Sequence, residues 1–555
     1  MKVPAALLIM FGCLMAALPA TRLGQSQATQ SSTEEKPLVA YKKGVATAFR
    51  TSDRCVACHN GMKTNAGEDI SIGFAWRASI MANSSRDPYW QGSVRRESLD
   101  HPESQKQIEN ECSFCHMPAV RLADRDAGRD TQVFSRLPLQ KFPKGDHAAA
   151  DGVTCSVCHQ VDKAGLGTDA TFNGNVAISK AARDDQRPEY GPFDPDHGHQ
   201  TIMHSSTGGY LPMRGDQIRD AALCGSCHTL YTQALGPGGA KPVKFPEQVP
   251  YQEWQHSEYA TRQTCQECHM PVVKEAVPIT ALYGPLRDGM HRHSFVGANF
   301  LMQGMLQDHR DELATAALPA ELDGAMKGTM EFLQTQAAKV TIRSVQTVEG
   351  KVTVNVLVEN LSGHKLPTAY PSRRAWLHVV MRDAGGRVVF ESGALNPEGS
   401  IVGNDNDEDP LKYEPHWREI SSPSQVEIYE PILRNAEGKV TTGLLQAVGY
   451  FKDNRLLPRG FDKKTAEPDI AVVGGAADDP GFTGGGSAVR YMLPTGGAVG
   501  PFRVEAELWY QPIGFRWAQN LAPYKASEPQ RMVQYYNKAA GRTAVLLAKA
   551  EAQAF

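Results

Sequence analysis

The chain has 555 residues, enough for two domains or three, and 58 Lys and Arg stand against 61 Asp and Glu for a formal charge of −3. No long run of one sign occurs, which excludes the patterns of a nucleic-acid surface or a polybasic membrane anchor. Past the first twenty residues no stretch is apolar for long enough to read as a transmembrane helix.

Residues 1–20 read as a secretory signal peptide: Lys2, the apolar run AALLIMFGCLMAAL, then the small-residue close LPA. Acylation of Cys13 as a lipoprotein is the alternative, although Met10 and Phe11 are a poor approach to such a cysteine. Residues 21–40 are polar and poor in bulky apolar groups, so a flexible leader is expected, with folding beginning near Tyr41. The expected location is the periplasm or cell surface of a Gram-negative type of bacterium.

Residues 41–318 hold the other ten of the 11 cysteines, in five units of one kind. They are Cys55, Cys58 and His59; Cys112, Cys115 and His116; Cys155, Cys158 and His159; Cys224, Cys227 and His228; and Cys265, Cys268 and His269. Zinc sites built from CxxC take two pairs per metal, so five pairs would leave one unmatched, and they need no histidine after the second cysteine. Thiol redox motifs occur once or twice in a thioredoxin-like context that is not visible here. A disulfide framework would scatter its cysteines. Covalent haem c attachment accounts for every feature, with two thiols for the porphyrin vinyl groups and an adjacent imidazole as proximal iron ligand. A histidine falls at any one position of this chain about 3% of the time, so five in five by accident is on the order of 10⁻⁸. Five haem c groups are therefore expected.

Electron-passing irons favour two axial ligands, and the chain's 17 histidines leave 12 outside the motifs. His101, His147 and His256 each precede an attachment motif at a spacing that lets them reach a neighbouring haem, and His293 is a fourth candidate with His291 as its competitor. The fifth distal ligand is open between Met81 and His364, the latter reaching across from the second domain. His197, His199 and His204 sit in a Gly/Pro/Asp-rich segment that reads as a loop, and one of them could also ligate.

About 52 residues per haem cannot build a conventional core, so porphyrins wrapped by short helices and long loops are expected to serve as one. Helices are predicted at 74–98 and 299–316, with a linking helix at 319–338 beginning at Pro319. The period then changes to β-branched runs at KVTIRSV, VTVNVLVEN, AWLHVVMRD and RVVFESG, with further strands at 425–431, 442–450 and 502–510. Residues 339–512 read as an antiparallel β-sandwich-like domain and 513–555 as a helical segment, with Gly541 as an interruption, giving an α+β protein. His378 alternates in phase with Trp376 and Val380 and reads as a sheet-face residue, and His416 is uncommitted. The loop GNDNDEDP at 403–410 offers oxygens for calcium, but without a glutamate at EF-hand spacing a solvated turn is the better reading.

The segments SIMANSSRDPYWQ, ECSFCHMP, LCGSCHTLYT, EWQHSEYATRQTCQECHMP and RHSFVGANF resemble the bacterial multihaem c-type cytochromes related to the tetrahaem cytochrome of ammonia oxidisers. SGHKLPTAYPSRRAWLHVV resembles the β-domain that some members carry, and the resemblance spans roughly residues 50–450. It implies electron transfer through closely stacked haems with histidine as the usual distal ligand. Pentahaem nitrite reductases, which use CxxCK at the active haem, and octahaem hydroxylamine oxidoreductases, which need three more sites, fit less well. The expected function is an exported electron carrier between redox partner proteins. The alternative is an oxidoreductase with one open iron acting on a small nitrogen or sulfur compound, and a third reading makes the β-domain a docking module.

Overall fold

The computed structural model describes residues 48–141, 144–181, 186–235 and 243–555. The expected signal peptide, Cys13, the leader and the onset of folding near Tyr41 lie outside these residues. Between 48 and 299 the sequence has few runs of regular period, and the elements there are accordingly short. Helix α1 (Pro88–Asp100) opens on a proline, whose missing N–H is unneeded in the first turn, and Asp87 caps it by accepting from the amides of Tyr89 and Trp90. The continuous helix expected at 74–98 is therefore divided into Ile72–Arg77 and α1, because a residue before proline is driven out of helical geometry. Helix α2 (Gln105–His116) carries the second motif in its final turn, and α3 (Pro118–Asp126) follows.

The segment expected as a loop at 191–206 contains a helix, α4 (His197–Thr207). Asp196 accepts from the His199 amide at its start, and Gly208 closes it with φ of 73°, so capping residues at both ends outweigh the Gly/Pro-rich approach. A hairpin of β1 (Leu230–Gln233) and β2 (Lys244–Gln248) leads to the short helix α5 (Pro250–Gln255). Helix α6 (Phe300–Asp308) is shorter than the predicted 299–316, because the chain turns at His309 and takes positive φ at Ala314. Helix α7 (Pro319–Gln336) lies where expected.

The remaining chain forms two five-stranded sheets and a three-stranded one. In the first, β4 (Lys351–Asn360) lies between β3 (Ala338–Val348) and β9 (Gly486–Pro494), with Val354 opposite Val345 and Tyr491. In the second, β5 (Arg374–Arg382) pairs with β6 (Val388–Ser392) and with β10 (Phe502–Gln511), which pairs in turn with β11 (Val545–Ala554). The third joins β7 (Pro431–Asn435) to β8 (Ala447–Asp453) and to Val440–Thr441. Strict alternation buries Val352, Val354, Val356 and Val358 on one face of β4, whereas β5 is buried on both faces and reads as an almost unbroken apolar run. Its Leu377, Val379 and Met381 join the main core, and Trp376 packs on the other side with Ile401, Val426 and Ile428.

The C-terminal segment departs from the helical expectation. Phe515–Gln519 and α8 (Ser527–Lys538) are helical, but the chain reverses at Gly541 and ends in β11, where Val545 and Leu547 reach the main core. A sheet edge left open on β10 supplies the backbone partners that outweigh the helix-favouring alanines. The loop at 403–410 does not gather oxygens around a cation: Asp407 turns inward and holds Arg374 in a two-pronged pair at 2.8 and 2.9 Å. The described residues form one compact unit.

Candidate functional site

Each CxxCH falls on or against one helical turn, which puts the two thiols on one face and the imidazole directly after them. All ten of these cysteines and all five motif histidines line a single cavity of about 1760 Å³, well above the roughly 300–1,000 Å³ of an ordinary small-molecule site. Neighbouring motifs touch. Cys55 lies beside Cys155, and Cys224 beside Cys265, close enough that each partner is the first influence on the other's ionisation. The Cys115 thiol comes within 3.8 Å of the Cys227 carbonyl oxygen, and Cys158 feels the Cys227 charge. The first, third, fourth and fifth motifs thus follow one another, and the second joins at the fourth.

The imidazoles are oriented before any metal is considered. His59 donates through Nδ1 to the Ile279 carbonyl, His116 to Ser84, His159 to Tyr190 and His269 to Val296, at 2.5–2.8 Å. Nε2 is left free to ligate. Burial lowers the pKa of all four and of His228, favouring the neutral form that a metal needs. Trp90, which the sequence reading missed, stacks on the His116 ring with centres 4.4 Å apart and planes 3° from parallel.

Two further histidines face motif histidines across a gap. The ring centres of His159 and His293 are 6.3 Å apart and 14° from parallel, and those of His269 and His364 are 6.2 Å apart and 10° from parallel. A metal–imidazole bond is about 2.0–2.1 Å and the nitrogen lies about 1.1 Å from its ring centre, so two rings across one metal have centres about 6.2–6.4 Å apart. Each pair has the ring separation that one six-coordinate iron would require. His293 is steadied by the His291 carbonyl at 3.0 Å and His364 by the Lys365 carbonyl at 2.9 Å.

The segment that carries His364 is clamped by a buried ionic network. Lys365 Nζ lies 2.7 Å from Asp453, Arg455 bridges Asp453 at 2.8 Å and Glu253 at 2.9 Å, and Glu253, on α5, accepts from the Lys365 amide at 3.1 Å. The charges alternate, so each buried ion has a counter-ion. This network ties β8 and the His364 segment to the helix that precedes the fifth motif. Nothing local in the sequence announced it, since its members are far apart along the chain.

The other sequence candidates are placed as follows. Met81, His199 and His291 line the cavity. His291 donates to the Met270 carbonyl at 2.7 Å, whereas both nitrogens of His199 meet acceptors, Asp196 at 2.6 Å and the Leu282 carbonyl at 3.1 Å. His197 and His204 lie on α4 but not on the cavity wall. His101 ends α1 with Nε2 buried and unpartnered, off the cavity wall. His147 opens the short helix His147–Ala150, also off the wall. His256 points Nε2 to the Asp462 carbonyl at 3.2 Å and meets Phe461 edge-on. Among the described residues no second imidazole faces His59, His116 or His228 at the spacing of the two pairs.

No family model matches the chain, and no curated protein matches it. Among solved structures it is similar to the penta-heme cytochrome c552 from Thermochromatium tepidum, with a TM-score of 0.50 and 16% identity over 91% of this chain and 99% of that one. At that identity the likeness is one of fold. Among the described residues no helix is long and apolar enough to cross a membrane.

Proposed function

We propose that this chain is an exported five-haem c-type cytochrome of the kind related to the tetrahaem cytochrome of ammonia oxidisers, carrying electrons between redox partner proteins. The observation that carries this reading is the single cavity wall shared by all five CxxCH units, together with two pairs of parallel imidazoles at iron-bridging distance. The overall likeness to a penta-heme cytochrome supports it. Bound haem supplies a one-electron iron couple whose potential depends on axial ligands, burial and nearby charge. The chain's own contribution is to tether the groups side by side through adjacent cysteines, hold His59, His116, His159 and His269 through Nδ1, and fix His293 and His364 opposite His159 and His269. Contact between successive motifs keeps neighbouring groups close, and the buried ionic network fixes His364 from outside the motif region.

Intact-mass analysis of the mature protein tests the reading: five added haem groups are expected, and the mass of the bare chain would end it. A second reading, catalysis at an open iron, draws on the three motif histidines without a facing imidazole among the described residues. A high-spin ferric signal in the EPR spectrum of the pure protein would favour it, and wholly low-spin spectra would remove it.

A further inference from the structure

Residues 84–90 meet the second motif at two points. In the turn Ser84–Arg86, the Ser84 carbonyl accepts from His116 Nδ1 at 2.8 Å, and the Ser84 hydroxyl donates to the His116 carbonyl at 2.9 Å. In the first turn of α1, the Trp90 indole lies flat against the same imidazole, with ring centres 4.4 Å apart and planes 3° from parallel. Both points are braced. Asp87 accepts from the Trp90 amide at 3.0 Å, Arg86 donates to the Ala314 carbonyl at 3.0 Å, and Gln91 donates to the Ser85 carbonyl at 2.7 Å. Trp90 is 8% exposed and packs with Val94, Ile108, Met117 and Leu445. The other motif histidines lack such a neighbour. His269 meets Phe332 at a tilt of 53° with centres 5.8 Å apart, and among the described residues no other motif imidazole lies parallel to a tryptophan, tyrosine or phenylalanine ring. A hydrogen bond at Nδ1 alone lets an imidazole rock about the line through its nitrogens, and a parallel ring against its face removes that freedom. The contact is also electronic. An indole face is electron-rich, and an imidazole that ligates an oxidised metal is electron-poor, so their attraction is greater in the oxidised state.

We propose that Trp90 is a positioning residue for the redox centre carried by Cys112, Cys115 and His116: it fixes the plane of the His116 imidazole and holds that centre at a lower potential than its ligands alone would give. The proposal rests on the five-haem reading. The couple is one electron at the iron, and no bond is made or broken. The Cys115 thiol lies 3.8 Å from the Cys227 carbonyl oxygen, so the second centre branches from the row of the other four at the fourth. A lowered potential biases electrons away from that branch and toward the row.

The test is spectroelectrochemical titration and EPR of the purified holoprotein for the wild type, Trp90→Leu, Trp90→Phe and Val94→Ala, with haem content taken from intact mass. In Trp90→Leu one component is expected to shift to higher potential with altered g-values while the other four stay in place. Trp90→Phe, which keeps a ring face, should shift the same component less, and Val94→Ala, which thins the same apolar cluster, should shift none. No upward shift in Trp90→Leu, an equal shift in Trp90→Phe, or an equal shift in Val94→Ala overturns the proposal. A wild type with fewer than five haems overturns the underlying reading instead. Should Trp90→Leu not fold, protein grown on fluorinated tryptophan decides, because fluorine withdraws electron density from the indole face without removing the ring. One component should then rise in the wild type and not in Trp90→Phe, and an unmoved wild type overturns the proposal.

Discussion

The motif-bearing region and the sheet region are held together differently. In the sheets, alternating valines and leucines interdigitate into one large cluster, and buried strands such as β5 find partners on both faces. Around the motifs the apolar side chains fall into small separate groups, such as Met62, Ile70, Val273, Val277 and Met290, or Phe172, Ala221, Ala222 and Tyr251, set about a large cavity. One region carries its interior in its own side chains. The other sets its side chains about a space that, on the proposed reading, bound groups would fill, as metals do in small metal-dependent domains.

The largest expected effect comes from withholding those groups. A chain with both cysteines of every motif changed to serine should lose hydrogen-exchange protection across residues 48–299 while β4, β5, β9 and β10 keep theirs. Equal protection in the two regions would break the comparison. Next comes the clamp between them. Asp453→Asn leaves Lys365 and Arg455 buried without their shared counter-ion, at a cost of about 3–5 kcal/mol in unfolding experiments. On the proposed reading, because Lys365 follows His364, the same variant should also disturb the low-spin signal of a haem held between His269 and His364. Leu377→Ala, in the sheet core, should lower stability by about 2–5 kcal/mol and leave the visible absorption spectrum of the purified protein unchanged. A spectral change there would mean that the two regions are less independent than their packing implies.

The smallest effect sharpens the sheet side through pH. His416 is buried between Glu427 at 2.7 Å and Asp479 at 3.0 Å. Burial works against its charged form, but Glu427 and then Asp479 outweigh it and hold the pKa above the ordinary value. A raised pKa in the folded state gives a stability contribution fully present below the unfolded value of about 6.5 and lost as pH rises through the folded value. The melting-temperature gap between the wild type and His416→Gln should therefore be widest in mild acid and narrow toward alkaline pH. A gap that widens with pH would contradict the assignment.

Much of the sheet region was legible because its signal is local. The valines of β4 alternate without a break, and the ends of β3, β4 and β5 fall within a few residues of the predicted runs. Strand β11 was not legible, since its alanines and lysine favour helix in isolation and only the open edge of β10 draws them into a sheet. Helix α4 was hidden for the opposite reason: its caps were present, but the Gly/Pro-rich residues around them read as loop. At the candidate site, the five CxxCH units that share one cavity wall were plain from spacing. The clamp of Glu253, Lys365, Asp453 and Arg455 was not, because its members come from separate elements.

What the amino-acid sequence determined by itself is the chemistry contained within one helical turn: two thiols and an imidazole, repeated along the chain. Which imidazole stands opposite which was decided only by the tertiary structure. The parallel rings of His269 and His364 belong to segments far apart in the chain, brought to within 6.2 Å by α5, β8 and the buried charges between them. Attachment of a group is a local covalent matter, whereas closing its far side is a matter of distance in space, which no spacing along a chain encodes.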